Sequence, residues 1–411
     1  MADTLKRKQP VDTNAPSLSK EKRQRLVGDT APDASSPAVS SDLIDLLDCT
    51  SISTDAVLAD RFECIARTLL HDHRLVASYG GSSAEYDIME VEFYLYKAGC
   101  HEDPFTHASE EQSRSGQWCV LTLLDDAKPC RPTKKTKTHR YFHRAPRRSQ
   151  STATLATAAG GYRGGTRKGL DLTLGASPSR TSAYFPPPVS TSADPHSPTV
   201  RGGILLRTVR RVSDSKVISG PSLLVDEVLR ISHAASIAEL VEDRWNGDIS
   251  AFPSDAARKV TLALKRIPPK PDAMPPILYR SPRIGLDLSH PDIPADNSLA
   301  HPRVIYVSKP YRFFVHPHLL TSNGRGQTFL GVYRNCVTTP AVEDGDVFRS
   351  ELAELTAMKL SVVVKYLSEF KHSLSHGSLR SFLGSSGKGA SASPVLFLRM
   401  MGTLERLQEP H

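Results

Sequence analysis

The sequence predicts an α+β fold, a mainly antiparallel sheet with helices packed on it, and three observations carry that prediction. Many short stretches alternate apolar and polar residues with the period of two that a half-buried strand requires, and turn residues separate them. Residues 54–71 show instead the 3.6-residue period of an amphipathic helix. Further along, Pro221 directly after Gly220 marks a helix start, because proline suits the first helical position, where its missing N–H costs nothing.

In chain order, Thr54 or Asp55 can cap the first helix, with Val57, Leu58, Phe62, Ile65, Leu69 and Leu70 as its apolar stripe. After a turn at Gly80-Gly81, residues 87–96 alternate: Met89, Val91, Phe93 and Leu95 point one way, Glu90, Glu92, Tyr94 and Tyr96 the other, with one irregularity at Ile88. Further strands are predicted at 117–124, 140–144, 169–174, 203–212, 260–266, 303–307, 311–315 and 328–333. Helices are predicted from Pro221 and near Ser236, with a last amphipathic one over 348–372. Residues 1–50 read as a polar tail, 51–335 as the folded domain, and 336–411 as a helix, a Ser/Gly linker over 373–393 and a short apolar end over 395–401. Three stretches read as low-complexity insertions into the domain: 125–139, 145–160 and 176–200.

No apolar run approaches the roughly 20 residues that cross a bilayer, and no secretory signal opens the chain, so a cytosolic or nuclear protein with no membrane partner is expected. The cysteines, Cys49, Cys64, Cys100, Cys119, Cys130 and Cys336, are scattered without zinc-site spacing, which predicts reduced thiols and no metal. Charge is concentrated. Residues 128–169 hold twelve cations and no Asp or Glu, against a net charge of +8 for the whole chain, so the remainder is net acidic. Such a segment attracts phosphates; the plainer alternative is a solubilising loop. Two basic clusters, Lys6-Arg7-Lys8 and Lys20 to Arg25, resemble a bipartite import signal, predicting an importin partner and a nuclear location.

Three segments are candidate sites. Glu90 and Glu92 share a strand face with Tyr94 and Tyr96, and a carboxylate beside aromatic rings in a dry cleft suits general-base work; an exposed face of surface glutamates is the alternative. The stretch from Cys100 to His107 is dense in possible ligands, but Pro104 prevents the helix of an HExxH zinc site, leaving a loop with one working histidine or a plain turn. Residues 160–169, with Tyr162, Arg163, Arg167 and Lys168 among glycines, let backbone amides approach a phosphate, yet lack the Ser or Thr of a P-loop. Hydrolytic triads find no support, since no G-x-S-x-G elbow is present.

Several of these segments, taken in order, resemble the alkyladenine (3-methyladenine) DNA glycosylase family. Met89-Glu90-Val91-Glu92-Phe93-Tyr94-Leu95 looks like its E-x-E-x-Y-L strand, and His107-Ala108-Ser109 like its histidine loop. Gly203-Ile204-Leu205-Leu206-Arg207 resembles its strand ending in Leu-Leu-Arg, and Gly220-Pro221-Ser222-Leu223-Leu224 its Gly-Pro helix start. Pro282-Arg283-Ile284-Gly285 and Lys309-Pro310-Tyr311-Arg312-Phe313-Phe314-Val315 are similar to its closing pair. The resemblance implies a single α+β domain with a curved antiparallel sheet. It further implies a nuclear DNA-binding hydrolase of base excision repair, a monofunctional glycosylase without cofactor, in which Glu92 activates water and Arg207 supports it. Tyr94 and His107 would pack on a flipped base. Tyr162 is a loose counterpart of the family's intercalating tyrosine, and Asp171 falls near its base-checking asparagine. Arg144, Arg163, Arg167 and Lys168 would hold the DNA backbone. A non-catalytic protein binding DNA or RNA on the same scaffold is the alternative, and a small-molecule enzyme a third class; a monomer is expected.

Overall fold

The computed structural model describes residues 42–122, 168–176, 200–253, 260–268, 274–294, 298–337 and 345–408. The expected strand at 140–144, the insertions at 125–139 and 145–160, most of that at 176–200, and the import clusters lie outside the described residues.

A short helix, α1 (Leu43–Leu46), precedes α2 (Asp55–Asp72), whose first turn is closed by Thr54 Oγ1 accepting from the Val57 N–H at 3.3 Å. Its buried face is Leu58, Phe62, Ile65, Leu69 and Leu70, each contributing about 1.5–3 kcal/mol on burial. Val57, expected in that stripe, is 51 % exposed.

Strand β1 (His73–Tyr79) turns at Gly80-Gly81 into β2 (Ser82–Lys97), with Tyr79 paired to Ser82. Both loop residues have positive φ, 57° and 89°, the geometry that lets a two-residue turn match the twist of a hairpin and that glycine takes without strain. The sheet continues through β3 (His101–Glu102), β4 (Trp118–Thr122), β5 (Lys168–Leu174), β6 (Val200–Arg211), β7 (Val217–Ser219), β8 (Val260–Arg266), β9 (Tyr279–Ser281) and β10 (Arg312–Phe314). All pairings between these strands are antiparallel, and the order β4-β5-β6-β2-β1-β8 curls into a half-barrel, the α+β architecture the sequence predicts. Sixteen residues long, β2 runs through its middle: β6 lines one edge, while β1 and then β10 line the other.

The face of β2 carrying Val91, Phe93 and Leu95 is buried, with Phe93 stacked on Phe62 of α2 at 4.7 Å and edge-on to Phe313 at 5.4 Å. Helix α3 (Pro221–Ile231) packs on β5 and β6 through Leu224, Val225 and Val228. The helix expected near Ser236 is a single π-helical stretch, Glu239–Arg244.

Two predicted strands are helices. Residues 303–307 form α4 (Pro302–Val307), started by Pro302 and by His301 Nδ1 accepting from the Arg303 N–H at 3.2 Å. Residues 328–333 lie inside α5 (Arg325–Cys336), in which Gly326 to Tyr333 are all buried. A helix buried on every side has no polar stripe, so its apolar run is indistinguishable from a core strand by periodicity.

The expected helix over 348–372 is two, α6 (Asp346–Thr356) and α7 (Leu360–His376), broken where Ala357 turns left-handed at φ 48°. Where a Ser/Gly linker is expected, 3-10 turns at Leu379–Phe382 and Gly384–Gly387 bury Leu379, Phe382 and Gly387, and the short apolar end is part of α8 (Pro394–Gln408). Gly402 of α8 sits against the Phe370 carbonyl of α7 with no space for a Cβ, which is how these two helices approach so closely. The layer's core is aromatic: Phe329, Tyr333, Phe348, Tyr366 and Phe370 meet at ring separations of 5.3 to 6.2 Å. Among the described residues no helix is long and apolar enough to cross a membrane.

Candidate functional site

The irregularity seen at Ile88 is a bulge. Opposite β6 the register slips between Ile88 and Glu90 and again between Glu90 and Val91, which bends β2 at the point where its two carboxylates begin. Below the bulge Glu92 pairs across β6 with Leu205, beyond which Asp171 of β5 follows, and on the other side with Arg312 of β10. Residues in direct register project from the same face, so one row of the sheet collects Asp171, Glu92 and Arg312.

Glu92 is fully buried, at 0 % exposure. Its Oε2 accepts from Tyr94 Oη at 2.9 Å and Arg207 Nη1 at 3.1 Å, and its Oε1 from the Ile284 N–H at 2.7 Å. Glu90, equally sequestered, accepts from Arg312 Nε at 2.6 Å and from Thr208 Oγ1, with Arg207 Nε at 3.4 Å. Two carboxylates and two guanidinium groups thus alternate Glu92, Arg207, Glu90, Arg312 with their charges balanced. Burial alone would raise the Glu90 pKa, but Arg312 and Arg207 outweigh it and hold the carboxyl below its ordinary value. Burial and the Glu92 charge push the Tyr94 hydroxyl well above the usual phenol range, so it stays a donor.

Arg283 secures the Ile284 N–H. It is buried, ion-paired with Asp103, donates to the Phe93 carbonyl at 3.0 Å, and lays its guanidinium over the Tyr94 ring at 4.5 Å. Arg312 donates besides to Ser281 Oγ and Thr328 Oγ1, both at 3.0 Å.

The structure brings Glu92, Tyr94 and Arg207 into contact and sets Asp171 on the same face, separated from Glu92 by Leu205. Burial, reinforced by the Glu92 charge, pushes the Asp171 carboxyl up to about 7, against a hydrogen bond from Gln112. The dry setting thus shifts this carboxyl toward the acid. His107 is on the exposed loop after β3, where surrounding protein still desolvates it enough to lower its pKa. Lys168 opens β5 with its Nζ 3.0 Å from Asp226. That pair is solvent-exposed and worth under about 1 kcal/mol, so the ammonium is engaged but exchangeable. Tyr162, Arg144, Arg163 and Arg167 lie outside the described residues. Of the possible ligands between Cys100 and His107, His101 is paired with Asp55 and Asp103 with Arg283.

Sequence reasoning assigned no role to Glu90's partner Arg312, to Arg283 or to Gln112. The signal was available: an arginine within Pro282-Arg283-Ile284 and another within Tyr311-Arg312-Phe313 interrupt apolar runs, and a cation in such a run requires a buried acid.

Fold and site together define an α+β half-barrel protein whose central strand carries a buried, arginine-held carboxylate. No protein-family model matches the chain. An uncharacterized protein of Acanthamoeba polyphaga mimivirus is 27 % identical to it over 229 residues, a match that covers 55 % of this chain and 79 % of the viral protein.

Proposed function

We propose that this chain is a DNA glycosylase-like hydrolase of base excision repair, which flips a damaged base from the duplex and releases it with a water activated at Glu92. What supports the reading best is the hydrogen bonding of Glu92. A carboxylate offers about four acceptor positions, and Tyr94, Arg207 and the Ile284 N–H occupy three, leaving one on Oε1 for a water. In such dry surroundings the anion would also stabilise positive charge developing on the sugar as the glycosidic bond breaks. Tyr94, His107, Asp171 and Tyr162 would receive the flipped base, and Arg144, Arg163, Arg167 and Lys168 would hold the backbone. The N-terminal basic clusters would bring the protein to the nucleus through importin.

A non-catalytic nucleic-acid-binding protein is the second reading, favoured by the complete burial of Glu92: a sugar reaches that carboxylate only after the site opens. Abasic-site formation on duplexes carrying a panel of modified bases tests both. Release by the natural protein, falling at least roughly a hundredfold in Glu92→Gln while binding persists, is the expected result. Equal release by the two proteins removes the role given to Glu92. Salt-sensitive binding without release by the natural protein establishes the second reading instead.

A further inference from the structure

The two faces of the sheet differ in what they leave open. On β10, Arg312 turns to the carboxylate face and meets Glu90, while Phe313, one residue on, turns to the face that α2 covers and packs edge-on to Phe93. A cavity of about 450 Å³ lies on that second side, between α2, β9 and α5 and away from Glu92. Phe313, Leu278 and Pro310 supply its apolar lining, and Glu63, Arg280, Arg334 and Asn335 its polar one. Gly331 makes the α5 wall possible: a Cβ there would lie 2.8 Å from the Arg280 carbonyl, so only a glycine lets the helix lie directly against β9.

The cations at the mouth outnumber the anions that meet them. Glu63 Oε1 accepts from Arg67 Nη2 at 2.9 Å and Glu63 Oε2 from Arg280 Nη1 at 3.3 Å, so one carboxylate serves two guanidinium groups. Arg334 is ion-paired with Glu405 of α8, which leaves three arginines against two carboxylates. A guanidinium carries five N–H donors, and each of the three gives one of them to its acid. The Arg67 and Arg280 side chains are 55 % and 63 % exposed, so both pairs are solvated and exchangeable. Asn335 adds an exposed amide beside them.

We propose that this cavity is the docking site for a partner protein, and that it takes a segment in which a carboxylate stands next to an aromatic or branched aliphatic side chain. The apolar side chain enters against Phe313, Leu278 and Pro310; the carboxylate replaces Glu63 on Arg280, with Arg334 and Asn335 as further donors. Glu63 is then a resident stand-in for the partner's acid, and its two ion pairs show the kind of anion these arginines accept. A free small acid is the poorer occupant. The cations stand in solvent, where a single ion pair contributes little, and a partner broad enough to exclude water around them makes the pairs count. Nucleic acid is disfavoured by the apolar lining and by the two carboxylates among the cations. A partner on this side of the sheet leaves the Glu92 face free, so the inference stands apart from the glycosylase-like reading.

The test titrates the whole chain against an array of short, end-blocked fluorescent peptides in which phenylalanine or leucine is flanked by glutamates, each beside a counterpart with glutamine in place of glutamate. Acidic members are expected to bind with dissociation constants on the order of 10–100 µM, and their glutamine counterparts at least roughly tenfold more weakly. Arg280→Ala is expected to weaken the acidic peptides by a similar factor. Glu63→Gln, which removes the resident competitor, is expected to tighten them about threefold, a gain that a merely structural glutamate would not give. Failure of every acidic peptide to bind below about 1 mM, equal binding of the glutamine counterparts, or weaker binding in Glu63→Gln overturns the inference. So does displacement of the peptides by phenylpropionate or by a DNA duplex at equal affinity, which would give the cavity to a small acid or to nucleic acid. None of these outcomes touches the role given to Glu92. The comparison of glutamate with glutamine peptides needs only the natural protein, so a variant that does not fold leaves the test intact.

Discussion

Two buried regions of this molecule are held together by opposite means. On one face of β2, Glu92, Arg207, Glu90 and Arg312 form a sequence of alternating charges that is almost wholly removed from water. In the C-terminal layer of α5 to α8 the core is aromatic, its rings about 5 to 6 Å apart, and the helices approach through Gly402. The second arrangement gains from every apolar surface it covers. The first does not, because each charge loses its hydration and the ion pairs only offset that loss; buried ion pairs can often be replaced by apolar side chains without loss of stability. A quartet so poor as a source of stability, placed on the bulged strand beside Tyr94 and Asp171, is where a chemical role is most economically sought, while the helical layer supplies rigidity.

The most severe way to test the contrast is to remove one charge. Arg312→Met takes from buried Glu90 its nearest cation, leaving it Thr208 and the more distant Arg207, and is expected to cost about 3–5 kcal/mol by chemical denaturation, with Glu90→Met added to it recovering much of the loss. A loss below about 1 kcal/mol for the single variant would show that water enters the face and the contrast is overdrawn.

Next in size is the pH dependence that Asp171 imposes. Its carboxyl titrates near 3.8 when unfolded and at about 7 when folded, so the folded chain holds a proton that the unfolded chain has already released. Stability from this group is therefore complete below about 3.8, declines as pH rises, and levels off above about 7, a change of a few kcal/mol at most. Asp171→Asn is expected to flatten the decline in thermal melts taken across that range. In the helical layer Glu369 of α7 is shifted the opposite way, held below its ordinary value by Arg399, and an unchanged slope in the variant would place the titration elsewhere.

Gly402→Ala forces a methyl group against the Phe370 carbonyl and is expected to cost about 1–3 kcal/mol, independent of pH. Equal stability of the variant would mean that α7 and α8 can slide apart freely. Smallest of all, Lys168→Ala breaks an exposed pair with Asp226 and is expected to change stability by less than about 0.5 kcal/mol while weakening any DNA binding in a salt-dependent way.

Much of the sheet is legible in the sequence because strand alternation is local. The residues of β5, β6 and β8 fall within two or three positions of where alternation puts them, and Thr54 caps α2 as its side chain allows. Strand β1 escaped notice, since His73-Arg74 and Ser78 blur its alternation until β8 and β2 pair on either side. Helix α5 escaped for the reason given by its burial, and α4 because six residues are too few for a 3.6-residue period to show. Of the site, Glu92, Tyr94 and Arg207 are readable as a group through the family resemblance, whereas Arg283, Arg312 and Gln112 acquire their roles only from neighbours far along the chain.

What the sequence determines by itself is which residues share a face: backbone sterics and side-chain periodicity place Glu90, Glu92 and Tyr94 on one side of β2 and Val91, Phe93 and Leu95 on the other. That the two carboxylates of the polar side are buried as deeply as the apolar residues, and which cations meet them, the tertiary structure decides. Arg207 and Arg312 stand 115 and 222 positions from their glutamates, and burial and Coulomb energy are sums over everything nearby in space, which no local pattern encodes.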